Sequence, residues 1–233
     1  MDKELIGQNF SRGAAAYDAE GILQKEMADR LYALAGPVCP TRVLDLGCGT
    51  GYLTGRLAEK FPLARLVGID LAPGMIAAAR ERNQRPNLKY LVADGEQYND
   101  GQYDLIVANA SLQWMKVEKV FNNVLKLLVP GGRFVFATFG PRTLAELKAC
   151  GFRINDFPAP AKLEEGLKAF SRIELKIDLV RQTFPGIKEL VGHLRSIGAN
   201  SPINCGQGPG KVTGLKKRPF TASYEVIIGI AIK

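Results

Sequence analysis

Histidine occurs once in this sequence of 233 residues, at position 193, and cysteine four times. A single histidine leaves no imidazole pair for zinc. It also lies late in the chain, away from the glycine-rich turn discussed below, so imidazole acid–base chemistry is not expected there. Cys39, Cys48, Cys150 and Cys205 are scattered and form no C-x-x-C pair. They read as reduced thiols and not as a disulfide frame or a metal site, so no metal is expected. No apolar run is long enough to cross a bilayer. The opening Met1-Asp2-Lys3-Glu4 lacks the basic-then-apolar layout of a secretory leader, and a cytoplasmic location is the expectation.

Acidic residues are outnumbered: 23 Asp and Glu stand against 31 Lys and Arg, a formal net charge of +8. Such a surplus draws polyanions, whether nucleic acid, an acidic membrane or an acidic protein, and it also keeps a protein soluble. One local cluster exists, Lys211 to Arg218, and aromatic side chains do not alternate with basic ones as a base-stacking surface requires. Neither a nucleic acid nor a membrane is the expected partner. Hydrophobic residues make up 46% of the chain, enough for a substantial core, and the length suits one α/β domain.

The chain is organised around Val43-Leu44-Asp45-Leu46-Gly47-Cys48-Gly49-Thr50-Gly51. An apolar run carrying an acid reads as a buried strand, Arg42–Leu46, and the segment Tyr52–Lys60 after the glycines reads as its crossover helix. Strand, glycine turn and helix open a doubly wound sheet, where ligands bind at the carboxyl ends of the strands. Glycine lets the backbone approach a ligand closely, and the helix N-terminus offers free amides. The dinucleotide pattern G-x-G-x-x-G would need its third glycine at position 52, which is Tyr52. The spacing here is instead acid-x-G-x-G-x-G.

Further strands are expected at Arg65–Asp70, Leu88–Ala93, Tyr103–Asn109, Arg133–Phe139, Ile173–Phe184 and Tyr224–Ile232, and helices at Pro73–Asn83, Glu118–Leu128, Thr143–Ala149, Leu163–Ala169 and Pro185–Ile197. Residues 9–35 read as one or two amphipathic helices with Ser11 as their cap, either covering the sheet or closing over a ligand with Tyr17 and Gln24 pointing inward. Asp70 stands where an acid can accept from ribose hydroxyls, about twenty residues beyond the glycine turn, and is equally placed to cap the next helix. Asp94 and Gly95, at the end of the third strand, suit a ligand edge or a plain turn. Asn109 ends the fourth strand, and the lone Trp114 is either a core plug or a cleft wall.

The acid and alternate glycines resemble motif I of the class I S-adenosylmethionine-dependent methyltransferases. The wider set of Phe10…Ala14-Ala15-x-Tyr17…Leu23-Gln24, Asp45-x-Gly47-Cys48-Gly49, Asp70-Leu71-x-Pro73, Asp94, Asn109…Gln113-Trp114, Thr143-Leu144-x-Glu146-Leu147 and Leu194-Arg195-x-Ile197-Gly198-Ala199 is similar to the malonyl-acyl-carrier-protein O-methyltransferases of biotin synthesis. The resemblance implies a Rossmann-like sheet of order 3-2-1-4-5-7-6 with the last strand antiparallel. It implies one methyltransferase domain: a helical lid over 1–40, a cofactor-binding core over 41–140, an acceptor-side insertion over 141–170, and C-terminal strands and helix over 171–233.

It further implies S-adenosylmethionine as cofactor, held by Asp45, Gly47, Gly49, Gly51, Asp70, Leu71, Asp94, Gly95, Asn109 and Gln24. The reaction would be methyl transfer to the free carboxylate of a malonyl thioester on acyl carrier protein, with the protein acting as a monomer. Tyr17, Arg195 and Arg142 are the candidate catalytic residues, the two arginines as cations for the acceptor carboxylate. Each arginine also reads as a solvated surface residue. The basic cluster Lys211–Arg218 would meet the acidic carrier protein. The segments after Leu147 and from Asn204 to Leu215 depart from the family pattern. Transfer to another carboxylic acid or a quinone precursor therefore stands as the alternative, with a non-catalytic cofactor-binding protein behind it.

Overall fold

The structure is a computed structural model that describes residues 2–36, 39–199 and 218–233. The expectations for Pro37, Cys205, the loop beyond Ala199 and the basic positions 211–217 fall outside the described residues.

Sixteen elements are described. Helices α1 (Lys3–Glu20) and α2 (Ile22–Leu34) precede β1 (Arg42–Leu46), α3 (Tyr52–Lys60), β2 (Arg65–Asp70), α4 (Pro73–Arg82), β3 (Leu88–Val92) and β4 (Tyr103–Asn109). A 3-10 turn at Leu112–Trp114 leads to α5 (Val117–Leu127), β5 (Leu128–Phe139), α6 (Ala145–Ala149), α7 (Pro160–Leu167), β6 (Arg172–Phe184), α8 (Ile187–Ser196) and β7 (Phe220–Ile232). The seven strands form one sheet of order β3-β2-β1-β4-β5-β7-β6. The ladders from β3 across to β5 are parallel, and β7 runs antiparallel to both β5 and β6. This is the order that the resemblance implies.

Both faces of the central strands are covered, so their sequences are largely apolar while their side chains alternate. Val43, Leu105, Val107, Val135 and Ala137 face a core completed by α2, α3 and α8. Their neighbours Leu44, Leu46, Ile106, Ala108, Phe134 and Phe136 face a second core with α5 and α7. Helix α5 shows why the helices dock: Val117, Val120, Phe121, Val124 and Leu127 recur at helical spacing and are all buried. Burying each such side chain contributes about 1.5–3 kcal/mol.

Two expectations need correction. Helix α1 starts at Lys3, because the Asp2 carboxylate accepts from the amides of Glu4 and Leu5 and caps it a turn and more ahead of position 9. Ser11 lies inside the helix, and its Oγ accepts from the Gly74 amide on α4. The fifth strand begins at Leu128 and not at Arg133: Leu128 pairs with Tyr103, and the register then jumps so that Arg133 pairs with Leu105. The residues between bulge out, with Pro130 lacking a donor and Gly131 at φ 74°.

The small residues of α1 answer a packing demand. A Cβ on Gly13 would stand 2.8 Å from the Ser196 carbonyl oxygen, and one on Gly198 would stand 2.9 Å from Phe10 Cα. Helix α1 therefore lies against α4 on one side and the end of α8 on the other. Among the described residues no helix is long and apolar enough to cross a membrane.

Candidate functional site

The glycine turn after β1 is held by the next strand. The amides of Gly47 and Cys48 both donate to the Ile69 carbonyl, at 2.8 and 2.9 Å. Gly47, Gly49 and Gly51 all have positive φ, the conformation only glycine adopts without strain. Gly47 and Gly51 are also hemmed in: their added Cβ atoms would stand 2.4 Å from Ser111 Cβ and 2.4 Å from the Tyr90 hydroxyl. Gly49 differs, since nothing lies within 4 Å of its added Cβ. It faces open space in the hollow that the turn encloses.

The acids stand around this hollow. Asp70, at the end of β2, accepts from the Gly49 amide at 2.9 Å through Oδ2 and from the Ala72 amide at 2.8 Å through Oδ1. Both oxygens are thereby aimed by backbone, and each keeps a lone pair. Burial pushes the Asp70 carboxyl above its ordinary range. Asp94 takes Glu96's amide on Oδ1 and the Lys3 ammonium on Oδ2, at 3.0 and 2.7 Å, and Lys3 also reaches Glu96 at 2.9 Å. Asp94 is thus both a turn former and part of the cleft wall. Lys3, Ile6, Phe10, Tyr17, Leu71 and Gly95 line the same cleft, of about 640 Å³ counted to its open mouth.

A second hollow opens on the other side of the turn, lined by Tyr17, Gln24, Asp45, Gly49, Thr50 and Asn109, among others. Asp45 is buried, 1% exposed, and its Oδ2 accepts from Thr54 Oγ1 on α3 at 2.7 Å. Its Oδ1 is buried with no hydrogen-bond partner, as is Asn109 Oδ1. Asn109 has spent its amide nitrogen on the Gln24 backbone carbonyl, 2.9 Å away. Burial raises the Asp45 carboxyl to about 7, with the charge of Asp70 adding to the effect. Two buried acceptors left without donors are costly, and both belong to residues that line this hollow. An adenosyl amino acid fits: backbone openness at Gly49, aimed carboxylate at Asp70, and unspent acceptors at Asp45 and Asn109.

A third cavity, about 580 Å³ to its mouth, lies beyond Tyr17. Its lining is apolar and aromatic: Phe10, Trp114, Phe139, Phe157, Leu194 and Tyr224 are the main parts. Phe10 and Trp114 meet edge to face, with ring centres 5.2 Å apart. Gln113 is buried and occupied, donating to the Ala110 carbonyl at 2.7 Å and accepting from Thr138 Oγ1 at 3.1 Å. Ala110 has φ 48°, a strained value for a side-chain-bearing residue, where the first cleft and the third cavity adjoin. Tyr17 lines all three hollows, and burial pushes its hydroxyl well above the usual tyrosine range, so it keeps its proton.

The two arginines expected near the acceptor are not in this lining. The Arg142 Nε donates to Glu225 Oε1 at 2.7 Å, and its backbone amide donates to Oε2 at 2.9 Å. Glu225 is buried on β7, so this arginine answers a structural charge. Arg195 is exposed on α8, between Leu194 and Ile197, whose side chains do reach the cavity. Several wall residues carry no local signal in the sequence. Lys3 precedes the helix expected from position 9, Ile154 and Phe157 sit in a loop, and Tyr224 is one residue of a strand.

Comparison with known proteins agrees with this geometry. A family model described as a methyltransferase domain matches residues 44–136. The chain is 33% identical to malonyl-[acyl-carrier protein] O-methyltransferase 1 of Ilyobacter polytropus over 88% of this chain and 81% of that protein. It is 31% identical to the malonyl-[acyl-carrier protein] O-methyltransferase of Methylococcus capsulatus, over 100% of this chain and 94% of that one. Among solved structures, the YcgJ protein of Bacillus subtilis superposes with a TM-score of 0.64 at 15% identity, covering 90% of this chain and 98% of its own. Haemonchus contortus phosphoethanolamine N-methyltransferase 2, solved with S-adenosyl-L-methionine, gives 0.60 at 19% identity, over 89% of this chain and 52% of that one. The structural likenesses speak for the fold alone, whereas the sequence identities extend over nearly the whole chain. On them, the chain belongs to the malonyl-[acyl-carrier protein] O-methyltransferase family.

Proposed function

We propose that this protein transfers a methyl group from S-adenosylmethionine to the free carboxylate of a malonyl thioester carried on acyl carrier protein. The observation that carries the cofactor half is the pair of buried, partnerless oxygens of Asp45 and Asn109 beside the open Gly49. In this reading Asp45 and Asn109 hold the ammonium end, and Gly47, Gly49 and Gly51 shape the turn beneath it. Asp70 and Leu71 take the ribose, Asp94 and Gly95 edge the adenine, and Gln24 closes the hollow from α2. Family membership supports the acceptor half.

When bound, S-adenosylmethionine supplies a methyl group activated by a positively charged sulfur. The chain's own task is alignment. A malonyl carboxylate is already ionised near neutral pH, so no residue need remove a proton from it. The absence of histidine from the three hollows agrees with that. Tyr17 stands at their junction and keeps its proton, so its hydroxyl can donate to the acceptor carboxylate without holding it as an ion pair would. Too tight a grip would stabilise the ground state equally and gain no rate. Phe10, Trp114 and Phe139 exclude water from the junction. Orientation of this kind can recover roughly 7–11 kcal/mol of a barrier. Arg195, at the rim beside Leu194, is the candidate cation for the carboxylate in transit, while Arg142 is engaged with Glu225.

A second reading draws on one observation: the described lining of the third cavity holds no cation. A less polar acid or a quinone precursor would suit such walls. Incubation of the purified protein with methyl-labelled S-adenosylmethionine and a panel of acceptors separates the two. Label on malonyl-acyl carrier protein, above label on malonyl-coenzyme A and free acids, is the expected result. Label on another acid with none on malonyl thioesters would favour the second reading.

A further inference from the structure

Lys25 also lines the second hollow, and nothing in the cofactor assignment above uses it. It sits on the first turn of α2, half-buried. Its ammonium donates to the Asp18 backbone carbonyl and stands 5.3 Å from the centre of the Tyr52 ring. Among the described residues it has no carboxylate partner. The other charged groups of this hollow are Asp18 and Asp45. Asp18 is taken up by Arg82 and by Thr50 Oγ1, and Arg82 in turn also donates to Thr50. Asp45 stands on β1 and accepts from Thr54 on α3. The hollow thus offers unpartnered acceptors on two of its residues and, on Lys25, a cation with no carboxylate partner among the described residues.

We propose that Lys25 binds the α-carboxylate of the cofactor's amino acid end. The assignment rests on the cofactor reading above. A zwitterion then meets matched walls: its ammonium faces Asp45 and Asn109, and its carboxylate faces Lys25. Tyr52 holds the lysine stem by its ring, which limits the rotamers the ammonium samples. The Asp18 carbonyl takes one ammonium hydrogen, leaving two for a ligand. Lys25 is a positioning and specificity residue in this account, since it distinguishes an amino acid end from an amine or an alkyl group.

Calorimetric titration of Lys25→Met and Lys25→Arg with two ligands tests the assignment. S-adenosylhomocysteine carries the amino acid, and 5′-methylthioadenosine carries the nucleoside and sulfur without it. A charge-assisted hydrogen bond of this kind corresponds to roughly ten- to hundredfold in affinity. The methionine variant should lose about that factor for S-adenosylhomocysteine and bind 5′-methylthioadenosine as the wild type does. The arginine variant should keep most of the affinity. Unchanged binding of S-adenosylhomocysteine to Lys25→Met would overturn the assignment. So would an equal loss for both ligands, which would mark a structural role. Wild-type protein that binds 5′-methylthioadenosine yet gains nothing from the amino acid end would refute Lys25 and leave the nucleoside site standing. Wild-type protein that binds neither would overturn the cofactor reading and the lysine with it.

Discussion

The cleft around the strand-end acids and the cavity beyond Tyr17 share Phe10, Tyr17, Ala110 and Trp114 as a common wall, yet they are made differently. The first is organised by turns at strand ends, whose backbone amides aim its carboxylate. Its hydrogen bonds run from amides to carboxylates and carbonyls, as with Gly49 to Asp70 and Gly47 to Ile69. Its key residues follow strand ends in β1, β2, β3 and β4. The second is built of side chains from six separated stretches, and its polar members are mostly turned toward their own chain. A backbone-made site fixes a ligand by directed bonds. A side-chain cavity selects by shape and by the exclusion of water. The difference implies that changes on the first side should act on cofactor affinity, and changes on the second on the acceptor alone.

The largest effect should come from Asp45. Its carboxyl is raised from an ordinary 3.8 to about 7, chiefly by burial. An ammonium placed beside it would favour the charged form and pull that value down, so binding below neutral pH should release a proton. Affinity for S-adenosylhomocysteine should therefore climb as pH rises toward 7 and flatten above it. Asp45→Asn should cost roughly ten- to hundredfold in affinity and abolish both the proton release and the pH slope. Titration calorimetry in buffers of different ionisation enthalpy measures all three quantities. The sign for the ligand-free protein is the reverse. The folded state holds a proton that the unfolded chain gives up, so this group's stabilisation is full below about 3.8 and is lost as pH rises through 7. A pH-independent affinity in the wild type would separate Asp45 from the ammonium.

The third cavity has its own probe in Phe157, which lines it alone and packs edge to face on Phe139, with ring centres 6.2 Å apart. Phe157→Ala should raise KM for the acceptor several-fold and leave the Kd of S-adenosylhomocysteine within experimental scatter. A parallel loss in both would mean that the two sides are one cooperative unit and not two separable ones.

That contrast also explains what could be read from the chain. A strand end, an acid and a glycine turn are local features, written within a few consecutive residues, so Asp45, Gly47, Asp70 and Asn109 stand on the strands and the turn that the sequence indicates. The strand order followed from the resemblance and is met in full. The third cavity is assembled by long-range packing. Ile154 and Phe157 lie in a loop whose pattern is silent, and Tyr224 is one apolar residue among many on β7. The block Ile197-Gly198-Ala199 was noticed as a family mark, but its reason is steric: Gly198, at φ 76°, lets the Phe10 turn of α1 sit against it. Ser11 is a capping residue type, but Asp2 caps the helix first and leaves Ser11 inside it. Arg142 misled because the burial of Glu225, eighty-odd positions on, cannot be seen from the chain near either residue.

Arg142 gives the smallest predicted effect and the one that decides between structure and catalysis. Its guanidinium is 62% exposed while Glu225 is 5% exposed, so solvent screens the pair from one side only. Arg142→Ala would leave the Glu225 carboxylate with the amide of residue 142 but without its cation. Screening brings the expected cost down to about 1 kcal/mol, a shift of a few degrees in Tm for a chain of this size. If the role is structural, thermal melting should show that shift while KM for malonyl-acyl carrier protein stays within about twofold. A KM raised tenfold with an unchanged Tm would instead place this arginine on the acceptor. The loop from Gly140 to Leu144 would then have to release Glu225 when substrate arrives, because one Nε cannot donate to both carboxylates at full strength.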